Sequence, residues 1–140
     1  MEVTNNGVST TNILSWVTKY APGAFTYTQD GITFAAAMDA KGAPVLPEAP
    51  AKPGDILVMY ATGLEPSTAG ILSPEHLSVD GVSVKIGDQT ATVQYAGLVA
   101  PGLFQINFVV PKIAAGNQPI YIESHSTNSP AGIMVPIGSK

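Results

Sequence analysis

The sequence has 140 residues, a length typical of one domain, with 45% hydrophobic and only 11% charged residues. Its net charge is −4 and its six cations are all lysines, which argues against nucleic-acid binding because such proteins rely on arginine and a basic surface. There is no cysteine, so disulfides and thiolate metal sites are excluded, and no apolar run approaches the ~20 residues of a membrane-spanning helix.

Glycine and proline are abundant, with 14 and 12 copies. Such a density favours short strands joined by turns over long helices, while the apolar content is too high for a disordered chain. The composition therefore predicts an all-β domain.

The N-terminal part begins with a polar stretch and continues into residues 12–20, which contain Trp16 and Val17. These residues favour a strand, with a short amphipathic helix as the alternative. Residues 21–23 end it, and residues 24–27 and 33–38 then predict a hairpin around a turn at Asp30 and Gly31.

The next predicted strand covers residues 55–61 and is continuously apolar. This pattern predicts a strand that is covered on both sides or central in a sandwich. Irregular, proline-rich segments at residues 41–53 and 65–74 predict loops on either side of it.

Two alternating segments, residues 82–86 and 91–96, predict a hairpin closed by residues 87–89. Residues 103–111 alternate apolar and polar side chains. We expect Gln105 and Asn107, on the face opposite Phe104 and Phe108, to hydrogen-bond the backbone of loops.

The last predicted strands cover residues 118–124 and 132–137. Pro119 and Pro136 are expected at strand starts or edges, because proline cannot donate to a sheet. In all, the pattern predicts about nine short strands in an immunoglobulin-like β-sandwich with Greek-key connections, and a closed barrel is the structural alternative.

Residues 53–64, 84–88, 91–98 and 101–107 together resemble a known family. It is the uncharacterised immunoglobulin-like domain found near the C-termini of large secreted acidobacterial proteins, often beside IPT/TIG-type modules. The sequence departs from the family at Glu65, where a glycine often follows Gly-Leu. The resemblance covers about residues 5–137 and implies an extracellular β-sandwich without known catalytic residues.

Candidate chemistry is sparse. Glu123 and His125 would share a face of a continuous strand and form a metal pair, while His76 follows Glu75 in a loop. The remaining candidates lie in loops, in turns or at strand ends. Four aspartates could bind calcium: Asp30, Asp39, Asp80 and Asp88. Lys52 and Asn128 could form an isopeptide bond, and four serines could act as a nucleophile: Ser73, Ser124, Ser126 and Ser129. None has the spacing of an established site, so the sequence predicts no catalytic, cofactor-binding or metal site and no enzyme.

The functional expectation is a non-catalytic structural or adhesive module of an extracellular or cell-surface bacterial protein. Its partners would be neighbouring domains, copies of itself or a polysaccharide, without nucleic acid or membrane insertion. Residues 1–20 are predicted as an N-terminal strand segment and residues 21–140 as the sandwich domain. A carbohydrate-binding module is one alternative. The other is a filament subunit that adds its N-terminal strand to a neighbour through Ile13, Leu14, Trp16 and Val17.

Overall fold

The structure, a computed structural model, describes residues 4–9, 18–65 and 77–139. These ranges contain fourteen β-strands and no helix, so the all-β prediction is confirmed. The strands are β1 Thr4–Asn5, β2 Val8–Ser9, β3 Gly23–Ala24, β4 Thr26–Gln29, β5 Ile32–Ala35, β6 Ala37–Asp39, β7 Ile56–Thr62, β8 Leu77–Ser78, β9 Val82–Ile86, β10 Gln89–Ala100, β11 Leu103–Val109, β12 Gly116–Ser124, β13 Thr127–Asn128 and β14 Ile133–Ile137.

The strands of the main sheet form one hydrogen-bonded path, and the covalent chain joins the two end regions of this path. Its neighbours follow the order β3-β7-β11-β10-β9-β12-β14-β5-β4. Because β5 continues through Ala36 into β6, and β6 pairs with β7, the path closes on itself. The architecture thus combines the packed layers of a sandwich with the continuous strand pairing of a barrel.

Two long strands change partners along their length and so join the layers. β10 pairs with β9 over Gln89 to Ala91 and then with β11 from Thr92 onward. β12 pairs with β14 up to Pro119 and with β9 from Ile120. Of the strand pairs, β14 with β5 is parallel, while the others are antiparallel.

The core lies between the layers and is built from alternating side chains of the long strands. β11 shows the pattern most clearly, since Phe104, Ile106 and Phe108 are buried and the residues between them are half-buried. Burying a side chain of this size stabilises a fold by roughly 1.5–3 kcal/mol. The largest fully buried side chains are Phe34, Phe108, Leu57, Met59, Leu64, Ile86, Ile106, Ile122, Val84, Val110 and Val135.

Both predicted hairpins are present. Asp30 and Gly31, at φ 51° and 78°, form the two-residue turn between β4 and β5, as expected for a type I′ turn. The second hairpin joins β9 and β10 through Gly87 and Asp88, and β10 is longer than expected at 12 residues.

The placement of both prolines was predicted wrongly. Pro136 lies inside β14, where it pairs with Asn117 and its carbonyl oxygen accepts from Ala51 N–H. Pro119 lies inside β12 and pairs with Met134, rather than at a strand start or edge. The strand changes partner immediately after it, so Pro119 stands where one ladder ends and the next begins.

Candidate functional site

The two sides of β7 differ, and this difference defines the candidate site. Leu57, Met59 and Ala61 are buried, whereas Val58 and Tyr60 between them are half-buried. The sequence left two alternatives for this strand, covered on both sides or central in a sandwich. β7 is central, because it pairs with β11 on one edge and with β3 and β6 on the other, and no layer of the described residues covers its outer side.

Neighbouring strands extend this outer surface. Val58 lies opposite Asn107, and Tyr60 lies opposite Gln105. From the other side, Tyr95 of β10 is also paired with Asn107. Directly opposed residues point to the same face of a sheet, so these five side chains form one surface without a formal charge. We call it the neutral face.

Amide groups occupy the middle of the neutral face. The Nε2 atom of Gln105 donates a hydrogen bond to Oδ1 of Asn107 at 2.9 Å. Our expectation that these amides bind loop backbone was therefore wrong, since they bind each other. Together with Tyr95 and Val99 they line a shallow cavity of about 350 Å³, and the Asn107 Nδ2 and Gln105 Oε1 atoms are left for a ligand.

An apolar groove of about 420 Å³ adjoins the neutral face through Tyr60. Its lining includes Phe25, Tyr27, Met38, Val45, Tyr60 and Leu103. Phe25 is 48% exposed, so the apolar lining of the groove extends to the solvent. The groove and the neutral face are therefore one continuous, uncharged surface.

Tyr27 fixes one wall of the groove. Its hydroxyl donates a hydrogen bond to the carbonyl oxygen of Val45 at 3.1 Å, and its ring stacks on Phe34 with centroids 5.5 Å apart. Burial, reinforced by the negative charge of Glu48, raises the pKa of the Tyr27 phenol. Tyr27 is therefore a fixed wall of the groove that favours its neutral form.

The predicted metal pair does not form. β12 ends at Ser124, so His125 lies in the turn after the strand instead of on the face of Glu123. Glu123 contacts Lys85, with Oε2 and Nζ 3.6 Å apart. Among the described residues, no group of three or more histidine, aspartate and glutamate side chains is arranged to hold a metal ion.

His125 instead belongs to a small structural cluster. Its ring stacks on Tyr20 with centroids 4.1 Å apart, and its Nδ1 atom lies 3.1 Å from the Ser124 hydroxyl oxygen. That hydroxyl is buried and donates a hydrogen bond to the carbonyl oxygen of Leu64 at 2.6 Å. Since Ser124 can only accept from Nδ1, the pair lacks the base-to-nucleophile arrangement of a serine hydrolase.

Three of the four aspartates considered for calcium have structural roles in turns. The Asp39 carboxylate accepts hydrogen bonds from the backbone N–H groups of Lys41 and Ala43, each at 2.8 Å. Asp88 accepts from the side chain of Gln89 at 3.1 Å, and Asp30 occupies the tight turn after β4. These are the usual roles of aspartate in loops.

The two residues considered for an isopeptide crosslink are both exposed. Lys52 lies in the loop before β7 and Asn128 in β13. A crosslink of this type forms in a buried environment, which neither residue has here.

Several predicted residues lie outside the described ranges. Four of them are the residues predicted for strand addition, and the other two are a candidate nucleophile and the loop histidine: Ile13, Leu14, Trp16, Val17, Ser73 and His76. The predictions made for them stay predictions.

Comparison with known proteins adds no relative. No protein-family model matches the sequence, and no curated protein matches it. Within the described residues, no helix is long and apolar enough to cross a membrane.

Sequence reasoning missed the neutral face, because the sequence holds only part of the signal. The alternation of β11 places Gln105 and Asn107 on its outer side. That Val58 and Tyr60 of β7 lie beside them follows from the strand pairing, which the sequence does not show.

Proposed function

We propose that this chain is a non-catalytic, immunoglobulin-like structural and adhesive module of an extracellular or cell-surface bacterial protein, and that it makes contacts through the neutral face. The single observation that carries the proposal is the open outer side of β7, where Val58 and Tyr60 stand beside Gln105 and Asn107. An uncovered apolar and aromatic surface of this kind is typical of interaction sites.

The strand order supports the immunoglobulin-like part of the proposal. The run β6-β7-β11-β10 has the order A-B-E-D of one immunoglobulin sheet, and β9-β12-β14 has the order C-F-G of the other. In this assignment β5 belongs to strand A, which reaches the second sheet through its parallel pairing with β14.

The bacterial and extracellular part rests on the sequence. Residues 53–64 and 101–107 resemble the secreted acidobacterial domain described above. In such a protein a rigid sheet suits both a spacer and a platform, because its inner strands are hydrogen-bonded to neighbours on both sides.

The neutral face favours a polysaccharide as the contacted partner. Tyr60 and Tyr95 offer flat rings with polar edges, and the amides of Gln105 and Asn107 lie between them. Neutral sugars present apolar ring faces and hydroxyl groups, which such a combination of aromatic and amide groups complements. A charged ligand would find no opposite charge among these residues.

Binding to neutral polysaccharides tests the proposal. Pull-down with insoluble glucans and a glycan array, followed by calorimetry on any hit, is expected to detect binding that Tyr60→Ala weakens at least tenfold. Tyr121→Ala is the matched control, because Tyr121 is half-buried on β12 in the other sheet. Absence of binding to every polysaccharide at millimolar concentration would contradict the adhesive role, as would equal losses in the two variants.

A further inference from the structure

β4 forms an open strand edge of four residues in the part of the chain that the structure describes. It stands at the end of the paired path and is hydrogen-bonded as a strand to β5 alone. The comparable edge of β6 is covered, because Val45 donates its N–H to Ala37 and Ala43 accepts from Asp39. Open edges template pairing with another chain unless they are protected.

β4 lacks the usual protection. Its sequence, Thr26-Tyr27-Thr28-Gln29, contains neither a charged residue nor a proline, and proteins commonly place lysine, other charged residues or proline on exposed edges. The apolar groove begins beside it, with Phe25 and Tyr27 in its lining. An edge with free backbone groups next to an apolar groove has the two features of a strand-addition site.

The hairpin geometry shows which backbone groups of β4 are free. Gln29 and Ile32 flank the two-residue turn, so they form a hydrogen-bonded pair, and bonded and non-bonded pairs then alternate along the hairpin. The hydrogen bond from Ala36 N–H to Phe25 O, at 2.8 Å, follows the same alternation. Thr26 and Thr28 therefore direct their N–H and C=O groups away from β5, toward the open edge.

Charge decides which partner suits this edge. The chain carries a net charge of −4, so two copies meeting at most surfaces bring acidic groups together. β4 and the lining of the apolar groove carry no charged side chain of their own. Although the charge of Glu48 reaches Tyr27, two copies that meet at this edge place no acidic side chains in direct opposition.

We propose that β4 is a self-association strand, at which a second copy of this chain adds edge to edge in an antiparallel, two-fold arrangement. Thr26 of each copy pairs with Thr28 of the other, because these residues hold the outward backbone groups. Tyr27 then faces Tyr27 of the second copy at the two-fold axis as a non-bonded aromatic pair. Such an interface is isologous and closes as a dimer.

The test places lysine on the edge and on a matched site elsewhere. Thr26→Lys/Thr28→Lys sets like charges directly opposite each other in both proposed pairs. Thr90→Lys/Thr92→Lys is the control, because it adds the same charge at two exposed threonines of β10, a strand inside the path. Sedimentation velocity from about micromolar to millimolar concentration would follow the oligomeric state of all three proteins.

We expect a concentration-dependent dimer for the wild type and the control, and a dissociation constant at least about tenfold higher for the edge variant. Hydrogen exchange should show the Thr26 and Thr28 amides becoming protected as the dimer forms. A strictly monomeric wild type would overturn the proposal, and protected amides in that monomer would show that another part of the same chain covers β4. An equal loss of dimer in the control would also overturn it. The inference is independent of polysaccharide binding, since the edge variant leaves the neutral face unchanged.

Discussion

Gly63 holds the segment before β3 against the end of β7, and replacing it with alanine tests that packing. Gly63 has φ +68°, and an added Cβ would lie 2.0 Å from the carbonyl oxygen of Ala21. The N–H of Ala21 donates to the Gly63 carbonyl at 2.9 Å, so relieving the clash also strains this hydrogen bond. The backbone on both sides is therefore fixed by one glycine.

The expected cost has three parts. Left-handed backbone costs a non-glycine residue about 1–2 kcal/mol, overpacking costs about 1–3 kcal/mol, and loss of the hydrogen bond costs about 0.5–1.5 kcal/mol. Gly63→Ala should therefore lower the free energy of unfolding by about 2.5–6.5 kcal/mol.

Gly102→Ala is the matched control. Gly102 has φ +71°, but an added Cβ there meets no atom within 4 Å, so only the backbone cost of about 1–2 kcal/mol applies. Urea unfolding followed by tryptophan fluorescence or circular dichroism measures both variants. Equal losses of stability in the two variants would refute the reasoning, because the contact with Ala21 would then contribute nothing.

Other predictions concern individual hydrogen bonds, turns and titration. Ser124→Ala leaves the carbonyl of buried Leu64 without its 2.6 Å hydrogen bond, and urea unfolding should show a loss of about 1–3 kcal/mol; an unchanged midpoint would contradict this. Ser126 has φ +67°, so Ser126→Gly should stabilise the protein by about 0.5–1 kcal/mol in the same assay, and destabilisation would show that the turn is not strained. The pKa of the Tyr27 phenol is raised above its ordinary 10.0, chiefly by burial, so the native state keeps this proton longer than the unfolded state and stability falls as the pH rises above about 10. Tyr27→Phe should flatten that decline in alkaline urea titrations, and an unchanged decline would mean that Tyr27 does not contribute to it.

The strands and hairpins followed from local chemistry and were predictable. The pair Asp30-Gly31 sets a type I′ turn by itself, and β11 buries Phe104, Ile106 and Phe108 because alternation places them on one side. These features depend on neighbours in sequence, which a single chain displays directly.

The site was not predictable in the same way, because it depends on which strands become neighbours. The sequence of β7 is apolar on both sides, and only its pairing with β11 shows that Tyr60 stands beside Gln105, on a face that no layer of the described residues covers. His125 likewise looks like part of a strand, and it lies in a turn because β12 reverses there into β13. Pairing between distant segments decided both outcomes.

The most direct test of the central claim, that the neutral face is the contact surface, is chemical-shift mapping on isotopically labelled protein titrated with whichever polysaccharide binds. The account predicts that the largest changes fall on the side-chain amides of Gln105 and Asn107 and on the rings of Tyr60 and Tyr95. Changes clustered on the opposite sheet, around Tyr121 and Lys85, would contradict it.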